Sequence, residues 1–451
     1  VTMKKPHMMP EILSGIFSTN SSIDEGELHV AGVAATTLAE EFGTPLFVVD
    51  ESDFKERALA WKEALTTSFG VNAGTVYYAG KAFLCKEIVR WVHEVGIGLD
   101  VCTGGELAVA AAVQFPMEKV EVHGNNKSED EIRSAILLGA GTIVLDSFHE
   151  IDRVAKISAE LGVIQRVYIR VTPGVVAHTH EFIATAHEDV KFGFSIADGS
   201  AWSAIEKISS AASLNLVGLH SHIGSQIFAS EGFAAAAKKL ITLLANYKNA
   251  FGHELAELDL GGGYGIAYVP GEETLNPFTV LTELAAVVNE ACAESKIAVP
   301  RISIEPGRAI VGPTTLTLYT VGTTKVVHLD DGISRQYVAV DGGMSDNIRP
   351  ALYDAEYIAI LANRKTEAGL TNSRVVGKHC ESGDVLISQI NLPVDLQPGD
   401  LVAIPATGAY GRSMASNYNH IPRPAVVAVI EGKARVIVRR EEIADLLALD
   451  L

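Results

Sequence analysis

The chain has 451 residues, 48% of them hydrophobic and 20% charged, with a formal net charge of −19. That length exceeds one ordinary hydrophobic core, so two domains are expected, and the composition is globular rather than disordered. The acidic balance argues against nucleic acid or an anionic membrane as the main partner, and an anionic cofactor must be held by local positive features against an adverse field.

In chain order, residues 1–45 form an N-terminal segment whose short strand candidate, Glu27–Val30, is expected to join a later β domain. From residue 46 to 312 short apolar or β-branched runs alternate with helical patterns. The runs are Thr75–Ala79, Gly96–Val101, Val120–Gly124, Thr142–Asp146, Arg166–Val171, Leu216–Ile223, Leu258–Gly263 and Ile302–Pro306. Helices are expected over Phe233–Phe251 and Phe278–Glu294. Eight such units over roughly 240 residues is the size of a (β/α)8 TIM-type barrel. A doubly wound open sheet is the competing arrangement. The long stretch from Pro173 to Phe194, with His178, His180 and His187, is a candidate lid, or simply a solvated loop. Beyond residue 312 the long helical patterns cease. Thr314–Val327, Gln336–Asp341, Arg374–His379, Asp384–Ile390 and Leu401–Ile404 read as strands, and Ala425–Ile430 and Ala434–Val438 flank a hairpin turn. Residues 313–451 are thus a C-terminal β domain.

The chemistry concentrates at strand ends. After the eighth run comes Glu305-Pro306-Gly307-Arg308, and the seventh runs into Gly261-Gly262-Gly263. Loops after barrel strands seven and eight are the usual phosphate cradle, where bare glycine N–H groups close on the anion and an arginine adds fixed charge. Glu305 would face something cationic. A phosphorylated cofactor with a protonatable ring nitrogen, pyridoxal phosphate, meets both demands.

Tyr78-Ala79-Gly80-Lys81-Ala82 ends the first strand. A lysine there points at the mouth, where its amine can form a Schiff base with an aldehyde. Alone it reads as a surface lysine capping the next helix; the phosphate cradle in the same barrel favours the catalytic reading. His220 and His222 share a face of the sixth strand, with Ser225 in the following loop. Two histidines without a third ligand make a weak metal site, and no metal is expected. An imidazole stacked on a planar cofactor, with Ser225 donating to its phosphate, is more economical. Asp100, His123, Asp146 and Arg170 also lie at or near strand ends, where helix-flanked strands otherwise read apolar. In the C-terminal region, Arg349 could clamp a carboxylate, Cys380 beside Glu381 could donate a proton, and Tyr410 could reach a phosphate. Turn glycines, a buried cysteine and an ordinary loop tyrosine account for each of these taken singly.

Together these motifs resemble the pyridoxal-phosphate-dependent diaminopimelate decarboxylases of the alanine-racemase-like superfamily. The likeness runs from Phe47 to Asn419 through Y-A-G-K-A, H-G-N-N-K, H-S-H-I-G-S-Q, D-L-G-G-G-Y-G, E-P-G-R, D-G-G-M-S-D-N-I-R-P, C-E-S-G-D and T-G-A-Y, in the family's order. The resemblance implies that Lys81 holds the cofactor, Glu305 pairs with its ring nitrogen, and His222 stacks on the ring. It implies that Ser225, Gly262, Gly263, Gly307, Arg308 and Tyr410 surround the phosphate, with Asp100 and His123 nearby. Arg349, Tyr353 and Glu381 would read the far end of the substrate, with Arg308 and Tyr410 also in reach, and Cys380 would donate the proton. The implied reaction is decarboxylation of meso-2,6-diaminopimelate to L-lysine, ending lysine biosynthesis. A homodimer with shared sites is implied too, because the C-E-S-G-D segment reaches the partner's site in that family. Thr103, where serine is common, and Arg412, where an apolar or aromatic residue is common, depart from family forms. Ornithine and arginine decarboxylases are the nearest rivals, but Arg349 suits a distal carboxylate that their substrates lack. A racemase, or a non-catalytic regulator built on the same frame, fits less well, since the lysine, the cysteine and the phosphate residues are all present.

Four cysteines without C-x-x-C pairing, an N-terminus whose Pro6, His7, Pro10 and Glu11 interrupt any apolar signal core, and no apolar stretch of spanning length point to a cytoplasmic protein.

Overall fold

The computed structural model describes residues 9–175, 191–329, 332 and 334–451. The three histidines of the candidate lid lie outside them. The chain divides into two compact units: residues 55–265 with 275–309, and residues 1–54 with 266–274 and 310–451.

The first unit is a closed parallel barrel. Its strands in chain order are Ala73–Ala79, Gly98–Val101, Val120–Val122, Thr142–Leu145, Gln165–Thr172, Leu214–His220, Glu257–Asp259 and Arg301–Ile304. Each pairs in parallel with the next, and the eighth closes on the first through Ile302 and Ala73 and through Ile304 and Val76. An open doubly wound sheet would leave two edges, so closure decides between the two expectations. The helices between strands begin where local chemistry caps them. Thr103 and Ser147 accept the N–H of the third helical residue, Ser128 and Glu131 form a capping box, and Asn276 precedes Pro277. The helix Lys86–Val95 shows how packing follows: Ile88, Val89, Trp91 and Val92 are buried and it stops at Gly96 in the left-handed conformation. Each large apolar side chain buried this way contributes about 1.5–3 kcal/mol.

In the second unit the 14-residue strand Thr315–His328 is the hub. Its first half pairs antiparallel with both Leu46–Asp50 and Leu401–Ile404, its second half with Ser334–Val340. Leu46–Asp50 also pairs in parallel with Ala425–Ile430, so this strand, expected within the barrel segment, belongs to the β sheet. Glu27–Val30 sits in a small three-stranded sheet, and Leu28 N–H donates to Ala362 O at 2.9 Å. Leu28, Leu38, Val48, Leu316, Ala403 and Val427 share one apolar core. The hairpin closes through Glu431 and Gly432, both at positive φ, the two-residue turn that matches strand twist.

Candidate active site

The barrel places its polar residues at the carboxyl ends of the strands. Ala79 leads directly to Gly80, whose N–H donates to Asp100 O at 2.9 Å, and then to Lys81. The Lys81 charge is felt by Asp100, Cys102, Glu106 and His222. Burial, and then Lys81 and Arg170, hold the His222 imidazole well below its ordinary range, so it is neutral. The Gly262 N–H donates to its Nδ1 at 3.2 Å, which fixes the ring's orientation.

Glu305 follows the eighth strand and is buried. Its Oε1 lies 3.1 Å from His123 Nε2 and 3.0 Å from His220 Nε2. Burial opposes ionisation, but the two imidazoles hold the carboxyl well below the ordinary range. The rings of His123 and His220 meet edge to face, with centroids 4.8 Å apart. Asp100 Oδ1 stands 3.7 Å from His123 Nε2, and burial, offset in part by His123, raises its pKa to about 6.

Glycine is required in the loops. Gly263 has φ +109°, and a Cβ there would stand 2.2 Å from Gly224 O; one on Gly262 would stand 2.2 Å from Glu305 O. A Cβ on Gly307 would meet Ala79 at 2.8 Å. Beside them Arg308 Nη2 donates to Ser225 Oγ at 2.8 Å. Asp146 and Arg170 are buried at strand ends, Asp146 accepting the Gly193 N–H at 2.7 Å.

These features suit pyridoxal phosphate. Bare backbone, a hydroxyl and a guanidinium gather at one side. At another, the buried Glu305 carboxylate, held as an anion beside His123 and His220, suits a protonated ring nitrogen.

In the β unit the C-terminal blocks are interlocked. Arg349 opens the short helix Arg349–Tyr353, is buried, donates to the Tyr357 hydroxyl and lies 4.6 Å over the Tyr268 ring. Tyr410 acts electrostatically on Arg349, and Tyr353 is half-buried. Tyr410 sits at φ +61°, an uncommon conformation for a tyrosine. Cys380 and Glu381 are exposed on a turn that Asp384 ties to the D-G-G-M block, accepting from Met344 N–H (2.6 Å) and His379 N–H (2.8 Å). Asn419 Oδ1 accepts the Cys380 N–H at 3.2 Å and lies 3.3 Å from His379 Nδ1, while His379 Nε2 is 2.8 Å from Ser345 Oγ. Cys380 is thus a solvent-facing thiol on a fixed backbone, not the buried cysteine its sequence context allowed.

Two buried barrel acids, Glu121 and Asp259, escaped the sequence reading. The available signal was a lone carboxylate inside an apolar strand, as in Val120-Glu121-Val122 and Leu258-Asp259-Leu260.

Residues 51–312 match the family model described as the pyridoxal binding domain of pyridoxal-dependent decarboxylases. The diaminopimelate decarboxylase of Mycobacterium tuberculosis is 49% identical over 450 residues, 99% of this chain and 99% of that one. Diaminopimelate decarboxylase from M. jannaschii, solved with L-lysine, superposes with a TM-score of 0.86 at 31% identity, covering 96% of this chain and 98% of that one. The Helicobacter pylori enzyme, also solved with L-lysine, gives a TM-score of 0.81 at 32% identity over 92% and 98%. With the glycine cradle, the anionic Glu305 and near-complete coverage in agreement, the chain belongs to the diaminopimelate decarboxylase family of pyridoxal-dependent enzymes.

Proposed function

We propose that this chain is a carboxy-lyase that removes one carboxylate of meso-2,6-diaminopimelate as CO₂ and releases L-lysine, completing lysine biosynthesis. The observation that carries this is the full-length identity of 49% to a diaminopimelate decarboxylase, together with a buried, anionic Glu305 at the carboxyl end of the barrel. Pyridoxal phosphate, when bound, supplies an aldehyde that condenses with amines and a protonated ring that accepts the electron pair left by CO₂.

The chain's own residues do the rest. Lys81 is the anchoring amine. Glu305 keeps the ring nitrogen protonated by offering it an anion, with Asp100 and His123 behind it. Neutral His222 presents a flat face for stacking without adding a competing positive charge. Ser225, Gly262, Gly263, Gly307, Arg308 and Tyr410 hold the phosphate. Arg349, with Tyr353 and Glu381, reads the distal carboxylate and ammonium, and Arg308 and Tyr410 extend that contact. Cys380 Sγ delivers the proton that replaces the lost carboxylate.

The exposed position of Cys380 and Glu381 supports use of this turn in a partner's site, in a homodimer with two shared sites. No described helix is long and apolar enough to cross a membrane, and the four cysteines show no C-x-x-C spacing, which supports a reducing compartment such as the cytoplasm. CO₂ release from meso-diaminopimelate, ornithine and arginine should be measured side by side. Release from meso-diaminopimelate alone is the expected result; turnover of either amine at a comparable kcat/KM would assign a different substrate.

A further inference from the structure

Beneath the strand ends the barrel carries a layer of acids that the reaction does not use. Glu121 is in register with Asp100 on one side and Thr142 on the other, and Asp259 is in register with His220 and Ser303. Both are completely buried. Carboxylate oxygens of Glu121, Asp259 and Glu305 all lie within 4.8 Å of one another. The Tyr77 side chain hydrogen-bonds Glu121, Asp259 Oδ2 has no hydrogen-bond partner among the described residues, and the Gly261 N–H donates to Asp259 Oδ1 at 2.6 Å.

Three carboxylates cannot share such a volume as anions. Two unit charges 4 Å apart repel by about 4 kcal/mol even at an effective dielectric of about 20. No described ion pair joins Glu121 or Asp259 to a lysine or arginine. The nearest cation candidate, His123 Nε2, is 3.5 Å from Glu121 but 3.1 Å from Glu305, which therefore has first claim on it. Neutral groups close the layer below: Tyr77 faces Glu121 from the first strand, and Tyr168 on the fifth donates to Glu257 at 2.7 Å. Both tyrosines also line a cavity of about 370 Å³, together with Thr142 and Ser303.

We propose that Glu121 and Asp259 are carboxylic acids, not carboxylates, in the folded chain, and that as proton-holding positioning residues they confine the layer's negative charge to Glu305 and Asp100. The charge offered to a ring nitrogen is then set by side chains that do not touch it. Burial, and next the neighbouring carboxylates, push both acids well above their ordinary range, which agrees with this assignment. The inference rests on Glu305 facing the ring nitrogen, as argued above.

The sign of the linkage is definite. An acid whose folded pKa is raised stabilises the fold below its unfolded pKa, near 4, and that contribution is lost as pH climbs towards the folded value. Neutral isosteres remove this loss. The melting temperature of the Glu121→Gln, Asp259→Asn double variant, minus that of wild type, should therefore rise from pH 5 to pH 8 whatever its starting value.

The direct test is infrared spectroscopy of the holoprotein carrying carboxyl-labelled Asp and Glu. At pH 7 a band from buried protonated carboxyl groups is expected, reduced in each single variant and reduced further in the double variant, where Asp346, which burial raises to about 7, still contributes. The cofactor's absorbance should show an alkaline step in wild type that the double variant lacks. A band of undiminished intensity in the double variant, a melting-temperature difference that falls with pH, or one stoichiometric cation retained after dialysis would each overturn the proposal. The infrared band reports on the acids with or without cofactor. Contact between Glu305 and the ring is judged separately, by the absorbance of Glu305→Gln.

Discussion

Lys81 stands just past the first barrel strand, and its charge is felt by Asp100, Cys102, Glu106 and His222, groups from two further strand ends. An amine so placed should be the one the cofactor uses. Purified protein should be yellow, and borohydride should fix the cofactor to the peptide containing Lys81; label found only on another lysine would overturn the assignment. Arg349 offers a second test at this scale. Its guanidinium is buried against Tyr268 and bonded to Tyr357, so its fork is pre-aimed. Arg349→Lys keeps the charge and loses the planar fork. The loss of such a pair is worth about 2–5 kcal/mol, roughly thirty-fold or more in kcat/KM, with cofactor binding less affected. A variant equal to wild type would show that Arg349 is not the clamp. Lys81, Glu305 and Arg349 could be singled out as candidates because each sits in a motif with glycine or proline around it. Glu121 and Asp259 were not, since nothing in their local sequence says that three strands distant in the chain aim their carboxylates at one point.

At the scale of elements, the loop after the seventh strand is built around backbone that only glycine tolerates. Gly263 combines φ +109° with a Cβ position 2.2 Å from Gly224 O. Alanine there costs about 1–3 kcal/mol of backbone strain, and a comparable amount for the clash. Gly263→Ala should fold with a lowered melting temperature and lose cofactor on dialysis, followed by absorbance; cofactor retention equal to wild type would remove this loop from the phosphate cradle. The barrel strands were legible as apolar runs because their carboxyl halves are buried and most are followed closely by a helix, a pattern that one local window contains. Leu46–Asp50 fell inside the residues 46–312 assigned to the barrel, but it does not belong there. It too precedes a helix, Glu51–Phe69, yet its partners are Thr315–His328 and Ala425–Ile430. A local window cannot see partners some 270 and 380 positions away, and strand pairing is decided by tertiary packing. The hairpin at Glu431-Gly432 was legible because its turn chemistry is entirely local.

At the scale of the whole molecule, closure of the barrel could not be read from periodicity, since open and closed parallel sheets share the same strand–helix alternation. Closure appears only in the pairing of the eighth strand with the first. Any sharing of a site between subunits is likewise a property of the assembly. Lys81 belongs to the barrel unit and Cys380 to the β unit. If an isologous dimer forms each site from Lys81 of one subunit and Cys380 of the other, two defects can be segregated. Lys81→Ala and Cys380→Ala dimers should each be nearly inactive. When the two are unfolded, mixed in equal amounts and refolded, about half the dimers should contain one chain of each kind. In each mixed dimer one site carries both lesions and the other carries neither. Activity should therefore return to about a quarter of wild type. A monomer, or a dimer whose sites lie within single chains, predicts no recovery, because every site then keeps one lesion. Persistent inactivity, with exchange of subunits confirmed by mass labelling, would reject the shared site while leaving the reaction assignment to the substrate assay.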